Sequence, residues 1–263
     1  MRKHILKVTG LSLAFVLSVG TVSVLAAETA DTAPAVTLKD LAGSYIELFP
    51  ETEKEEYTDV WLNRLEESAG LDEETAQIAR EMLITMMEGD VYGEEAITLA
   101  AEEPGYSIFD CYFINGPVKI TIDGDTISGV DAEGKELFSH TYVFQESMKM
   151  DLGEEMNAMY EEILSDEEWP TMDVYVAEDA DDDFKYFAFA GDTPDETYHI
   201  EFRYGAEKDG LSSYYDGPYA YWLAAGIPAD YSDELITDCI NLFVDENAPA
   251  IVAMFDEEAV AEE

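Results

Sequence analysis

From Tyr106 onward the apolar residues recur at every second position instead of every third or fourth. This change of period constrains the fold more than any other feature. Val118, Ile120 and Ile122 alternate with Lys119 and Thr121, and Asp123-Gly124 fits a tight hairpin turn. Glu133-Gly134 marks another reversal before an apolar run over 137–144. Residues 173–176, 185–189 and 197–204 read as further strands, and 148–165 as a helix or an irregular insertion. Upstream the period is helical. Residues 57–67 carry Val60, Trp61, Arg64 and Leu65 before Gly70, and 72–88 carry Ile78, Met82, Leu83 and Met86 on one face. Residues 38–49 open the folded part. Near the end Ser232 fits the N-cap of a last helix with the stripe Leu235, Ile236, Cys239, Ile240 and Phe243, ended by Asn247 and Pro249. Helices, a meander of antiparallel strands and a closing helix predict a mostly β fold: an up-and-down barrel closed by helices. Without strand–helix–strand alternation or a glycine-rich phosphate loop, a nucleotide-binding α/β fold is excluded.

The first residues read as a secretory signal. Arg2, Lys3, His4 and Lys7 form a basic head, a largely apolar run extends from Ile5 to Val22, and Val24-Leu25-Ala26 places small residues at the −3 and −1 sites of a peptidase. No cysteine stands at that point, so no lipoprotein anchor is expected, and no later stretch is long and apolar enough to span a bilayer. The expected organisation is a signal peptide over 1–26, a flexible leader over 27–37, one domain over 38–247 and an acidic tail over 248–263. The product is secreted, into the extracellular or cell-envelope space.

Cleavage leaves roughly 240 residues, enough for one sizeable core. An apolar fraction of 47% makes the chain globular rather than disordered. Its 60 Asp+Glu against 13 Lys+Arg give a formal net charge of −47, which excludes nucleic acid and anionic membrane surfaces as partners. Such a charge permits cation binding without specifying it. The acidic run 178–183 is no calcium loop of the EF-hand type: counted from Asp179, Phe184 stands where the invariant glycine belongs and Ala190 where the bidentate glutamate belongs. Cys111 and Cys239 allow one disulfide in an oxidising compartment, or two buried thiols.

Histidine is scarce. Beyond the signal only His140 and His199 remain, so three histidines cannot meet at one zinc ion. In the segment from Tyr198 to Tyr204, strict alternation puts His199, Glu201 and Arg203 on one face and the aromatic and aliphatic residues on the other. An imidazole and a carboxylate two residues apart on a strand can converge on one cation, and Asp192, in the loop before, can supply a third ligand. The bland alternative is a solvated polar face with a His199–Glu201 or Glu201–Arg203 pair.

Lys185-Tyr186-Phe187 through Asp192, followed by His199-Ile200-Glu201-Phe202-Arg203-Tyr204-Gly205, resembles the ZinT (YodA-like) family. Leu41-Ala42-Gly43-Ser44-Tyr45 with Phe49-Pro50, the segment 120–144, and Pro218-Tyr219-Ala220-Tyr221 extend the resemblance over most of 38–247. It implies a secreted or periplasmic zinc-binding domain with a lipocalin-like (calycin) barrel, of the kind that also forms the C-terminal part of some streptococcal zinc-binding lipoproteins. That family binds zinc through a histidine in the loop and a His-x-His on the next strand. Residue by residue, the ligand positions fall on Asp192, His199 and Glu201. Two carboxylates in place of imidazoles make the set harder and more anionic, with weaker zinc selectivity than three histidines give.

The leading reading is a binding protein, not an enzyme: it takes a divalent metal, zinc first, for capture or delivery to the binding protein of a metal transporter. A second is a lipocalin-like binder of a small apolar ligand or peptide, its pocket lined by Tyr214, Tyr215, Tyr219, Tyr221 and Trp222 and its metal site degenerate. A third is acid–base catalysis by Asp192, His199 and Glu201, for which no nucleophile signature speaks.

Overall fold

The computed structural model describes residues 34–87, 91–102, 110–153, 157 and 169–261, with backbone alone for 256–261. The expected signal peptide, residues 27–33 of the leader and much of 148–165 lie outside the described residues. Among the described residues nine strands form one antiparallel sheet: β1 (Gly43–Glu47), β2 (Lys119–Asp123), β3 (Thr126–Val130), β4 (Glu136–Thr141), β5 (Val143–Lys149), β6 (Thr171–Val176), β7 (Tyr186–Phe189), β8 (Ile200–Gly205) and β9 (Ala224–Pro228). Their order is β4-β3-β2-β1-β9-β8-β7-β6-β5.

That order forces a curl. Neighbouring strands lie about 4.8 Å apart, so in a flat sheet the two edges would be nearly 40 Å from one another. Yet β4 and β5 are those edges, and Tyr142 alone joins them. One residue spans a few ångströms, so the sheet rolls until its edges meet there. Tyr142 is buried, its N–H donates to the Asp125 carbonyl at 2.7 Å, and its hydroxyl donates to the carbonyl of Phe184. The single strand expected over 137–144 is thus two, broken where this side chain turns inward. The result is the helix-flanked antiparallel barrel that the alternation predicts.

Alternation along each strand sorts side chains into two apolar layers. Ile200, Phe202 and Tyr204 of β8 point inward with Tyr45, Ile120, Ile122, Phe187, Phe189 and Trp222. This interior is filled by rings: Phe187 lies 5.1 Å from Tyr204 and 6.0 Å from Phe202, and Phe138 stacks on Phe184 at 3.9 Å. Trp222 and Tyr214, expected to line a ligand pocket, are buried packing residues. The second layer lies outside the wall formed by β6 to β9. There Val174, Ala188, Ala225 and Ile227 meet Trp61 and Leu65 of α2 (Thr58–Ala69), Leu83 of α3 (Glu73–Met87) and Ile236, Ile240 and Val244 of α5 (Asp233–Ala261). In α3 the buried stripe is Ala76, Ala79, Leu83 and Met87, whereas Ile78, expected on that face, is exposed. Among the described residues there are also two short helices, α1 (Leu48–Thr52) and α4 (Glu94–Glu102).

Ser232 caps α5 as predicted, its hydroxyl accepting from the Leu235 N–H at 3.2 Å. The helix does not end at Asn247 and Pro249; it runs through both to Ala261, so the segment expected as a tail is helical that far. A proline inside a helix costs about 3 kcal/mol. Ile251 and Met254, both buried beyond it, each return about 1.5–3 kcal/mol. The end of the leader is also held, because Val36 donates its N–H to Asp173 and accepts from the Tyr175 hydroxyl.

Candidate metal site

The site lies on the outer face of the barrel wall, beneath α5. A loop joins β7 to β8, and within it Thr193 accepts from the N–H groups of Glu196 and Thr197 at 3.0 and 2.9 Å, closing a tight turn. Tyr198 then takes a left-handed conformation, φ 70°. This residue is rarely found there. The reversal sets His199 down on the polar face of β8, which begins at the next residue.

His199 is 8% exposed. Its Nδ1 stands 2.7 Å from the Thr197 carbonyl. A carbonyl only accepts, so Nδ1 carries a proton, and in the neutral ring the lone pair stands on Nε2. Nε2 faces Glu201, 3.6 Å from Oε1. Asp192 is 3% exposed, and its Oδ1 has no hydrogen-bond partner. Burial, and then the charge of Glu201, push its carboxyl up to about 7, only partly offset by His199. For His199 burial opposes the imidazolium, but Cys239 and Glu201 outweigh it and hold its pKa well above the ordinary value.

His199 and Glu201 therefore face one another on a covered rather than a solvated face, and Asp192 is buried within range of their charges. Arg203, on the same face, does not pair with Glu201. Its buried guanidinium donates to the carbonyls of Leu211 at 2.8 Å, Ser213 at 2.7 Å and Tyr219, and lies 5.1 Å from the centre of the Tyr214 ring. Burial lowers its pKa to about 10. His140 stands apart, paired with Asp182 at 2.8 Å.

Sequence reasoning missed the roof. A cavity lined by His199 and Glu201 is closed by Cys239, Phe243 and Glu246 of α5, with Cys111 also on its wall. Cys239 and Glu246 are seven residues apart, two helical turns, so both fall on one face; the spacing was the available signal. For Cys111 no signal exists. Both cysteines are buried free thiols. Cys239 Sγ lies 3.8 Å from His199 Nδ1, and Cys111 Sγ lies 3.8 Å from Met87 Sδ. Among the described residues no three His, Cys, Asp or Glu side chains stand close enough, as arranged, to hold a metal ion. A bound ion would have to draw them together. The donor set fits such an ion: an imidazole oriented by its own Nδ1–H, whose Nε2 becomes a donor when an ion displaces its proton, a carboxylate opposite it, and a buried carboxyl oxygen without a partner.

No family model and no curated protein matches the chain. Among solved structures it is similar to the Zn(II)-bound ZinT-like domain of Streptococcus pneumoniae AdcA, at 16% identity over 78% of this chain and 90% of that one, with a TM-score of 0.47. It is also similar to Zn(II)-bound AdcA from the same organism, at 16% identity over 77% of this chain and 34% of that one, with a TM-score of 0.42. This chain thus spans about a third of AdcA.

Proposed function

We propose that the protein binds one divalent transition-metal ion, zinc first, through His199, Glu201 and Asp192, and that it does so as an exported protein that captures the ion or hands it to the binding protein of a transporter. The observation that carries this reading is the pairing of His199 Nε2 with Glu201 while Nδ1–H is committed to Thr197. Two ligands about 2.0–2.1 Å from a tetrahedral ion sit roughly 3.3 Å apart. The separation of 3.6 Å is close to that without an ion. Asp192 adds a carboxyl whose proton a cation would displace, which relieves the cost of its burial. Three donors from β8 and the loop before it leave a fourth position open to one more ligand. The site is one of binding and not of catalysis.

The test is native mass spectrometry of the chelated protein with and without zinc, beside thermal melting. One zinc ion per chain is expected. At about 100 times Kd it adds about 2.7 kcal/mol. For a domain of this size that raises the melting temperature by roughly 5–10 °C. An unchanged mass and an unchanged melting temperature would refute the proposal.

A further inference from the structure

We infer that the thiol of Cys239 on α5 is a further ligand of this site, and that it biases the site toward zinc, cadmium and cobalt over manganese, calcium and magnesium. The inference rests on the metal reading above and deepens it.

Cys239 is 3% exposed and unbridged, on the wall of the same cavity as His199 and Glu201. Its sulfur is 3.8 Å from the imidazole whose other nitrogen faces Glu201. The thiol sits on the Nδ1 side of the ring, so it is not poised to ligate as it stands. A change of χ1 well moves a cysteine sulfur by roughly 3 Å, the chord between two staggered positions. Ligation requires Cys239 to make such a change. On binding, the thiol gives up its proton to solvent and the thiolate becomes the ligand.

A purely structural thiol would need only apolar neighbours. This one touches an imidazole and shares its cavity wall with Glu201 and, two turns along α5, Glu246, while the unpartnered oxygen of Asp192 lies within range of the charges on His199 and Glu201. Carboxylates and one imidazole alone make a hard set that manganese or calcium satisfies well; one thiolate shifts preference to softer ions. The β8 side of the site offers one imidazole and one carboxylate, a deficit of soft donors. The sulfur on α5 makes good that deficit from the opposite wall.

Cobalt(II), added to the chelated and reduced full-length chain, reports the ligands directly. Wild type is expected to show visible d–d bands together with an intense near-ultraviolet sulfur-to-cobalt band. Cys239→Ser loses the near-ultraviolet band and keeps the visible ones, and Cys111→Ser keeps both. Visible bands without the near-ultraviolet band in wild type overturn the role of Cys239 and leave the metal site standing. A near-ultraviolet band that survives Cys239→Ser and vanishes in Cys111→Ser also overturns it. The absence of any cobalt spectrum sinks both the metal reading and this one. Because the wild-type spectrum decides the presence of a thiolate alone, a poorly folded variant does not rescue the idea.

Discussion

Arg203→Met separates the scaffold from the site. The guanidinium is fully buried and holds three carbonyls of the segment before β9, those of Leu211, Ser213 and Tyr219. Hydrogen bonds from a charged donor contribute about 1.5–3 kcal/mol each, so their gross loss is roughly 5–9 kcal/mol. Against this, the buried charge carries its own cost. The fall of its pKa to about 10 corresponds to about 3 kcal/mol, which disappears with the charge. Methionine refills most of the stem volume. The net loss is therefore about 2–6 kcal/mol, a fall in melting temperature of roughly 10 °C for a domain of this size. Lysine does not rescue it, since an ammonium cannot fork to three carbonyls. Zinc titration of the surviving folded protein is expected to give an unchanged Kd, because Arg203 does not pair with Glu201. Thermal melting by circular dichroism and calorimetric titration read the two quantities. A fall below about 3 °C refutes the energetic reasoning. A large loss of zinc affinity refutes the separation of Arg203 from the site.

Three further outcomes are expected. His199→Ala abolishes the zinc-induced rise in melting temperature, read by scanning fluorimetry; a rise equal to that of wild type counts against the ligand assignment. Asp192 carries a folded-state pKa raised to about 7, so the folded state holds its proton where the unfolded chain has released it. The metal-free protein therefore loses stability as pH rises from about 4 to 7, by a few kcal/mol in all. Asp192→Asn removes that slope and stabilises the metal-free protein at pH 8 while weakening zinc binding; denaturant melts across pH show whether the slope persists. Ile251→Ala, beyond the proline of α5, costs about 2–5 kcal/mol in urea unfolding if the helix is packed there, and almost nothing if it is a loose tail.

The alternation from Tyr198 to Tyr204 carried most of what was legible. It placed Tyr198, Ile200, Phe202 and Tyr204 on one face and His199, Glu201 and Arg203 on the other; the structure has all but Tyr198 so, because the left-handed turn there breaks the alternation and Tyr198 packs against the outer layer. Local pattern holds this information because the pleat has a strict period of two. β9 was missed because Ala-Ala-Gly-Ile-Pro has neither alternation nor β-branched enrichment; the strand exists because β1 and β8 flank it on both sides. Helix α4 was also missed. The corner at Tyr142 depends on a hydroxyl reaching Phe184, 42 residues away, and no window of sequence contains that contact. Pro249 misled for the opposite reason: its cost is local and readable, whereas the burial of Ile251 that offsets it is not. The polar wall of the site followed from strand pattern, but its roof followed from where α5 docks.

That roof has a consequence in time. α5 follows the sheet in chain order, so it leaves the ribosome after every strand. β1, near the start, must pair with β9 before the wall beneath α5 is complete, so the sheet too waits for distant chain. A partly emerged chain has His199 and Glu201 but no cavity to enclose them. The enclosed site therefore comes into being only once the chain is made through α5, and an ion bound there is one met after that point.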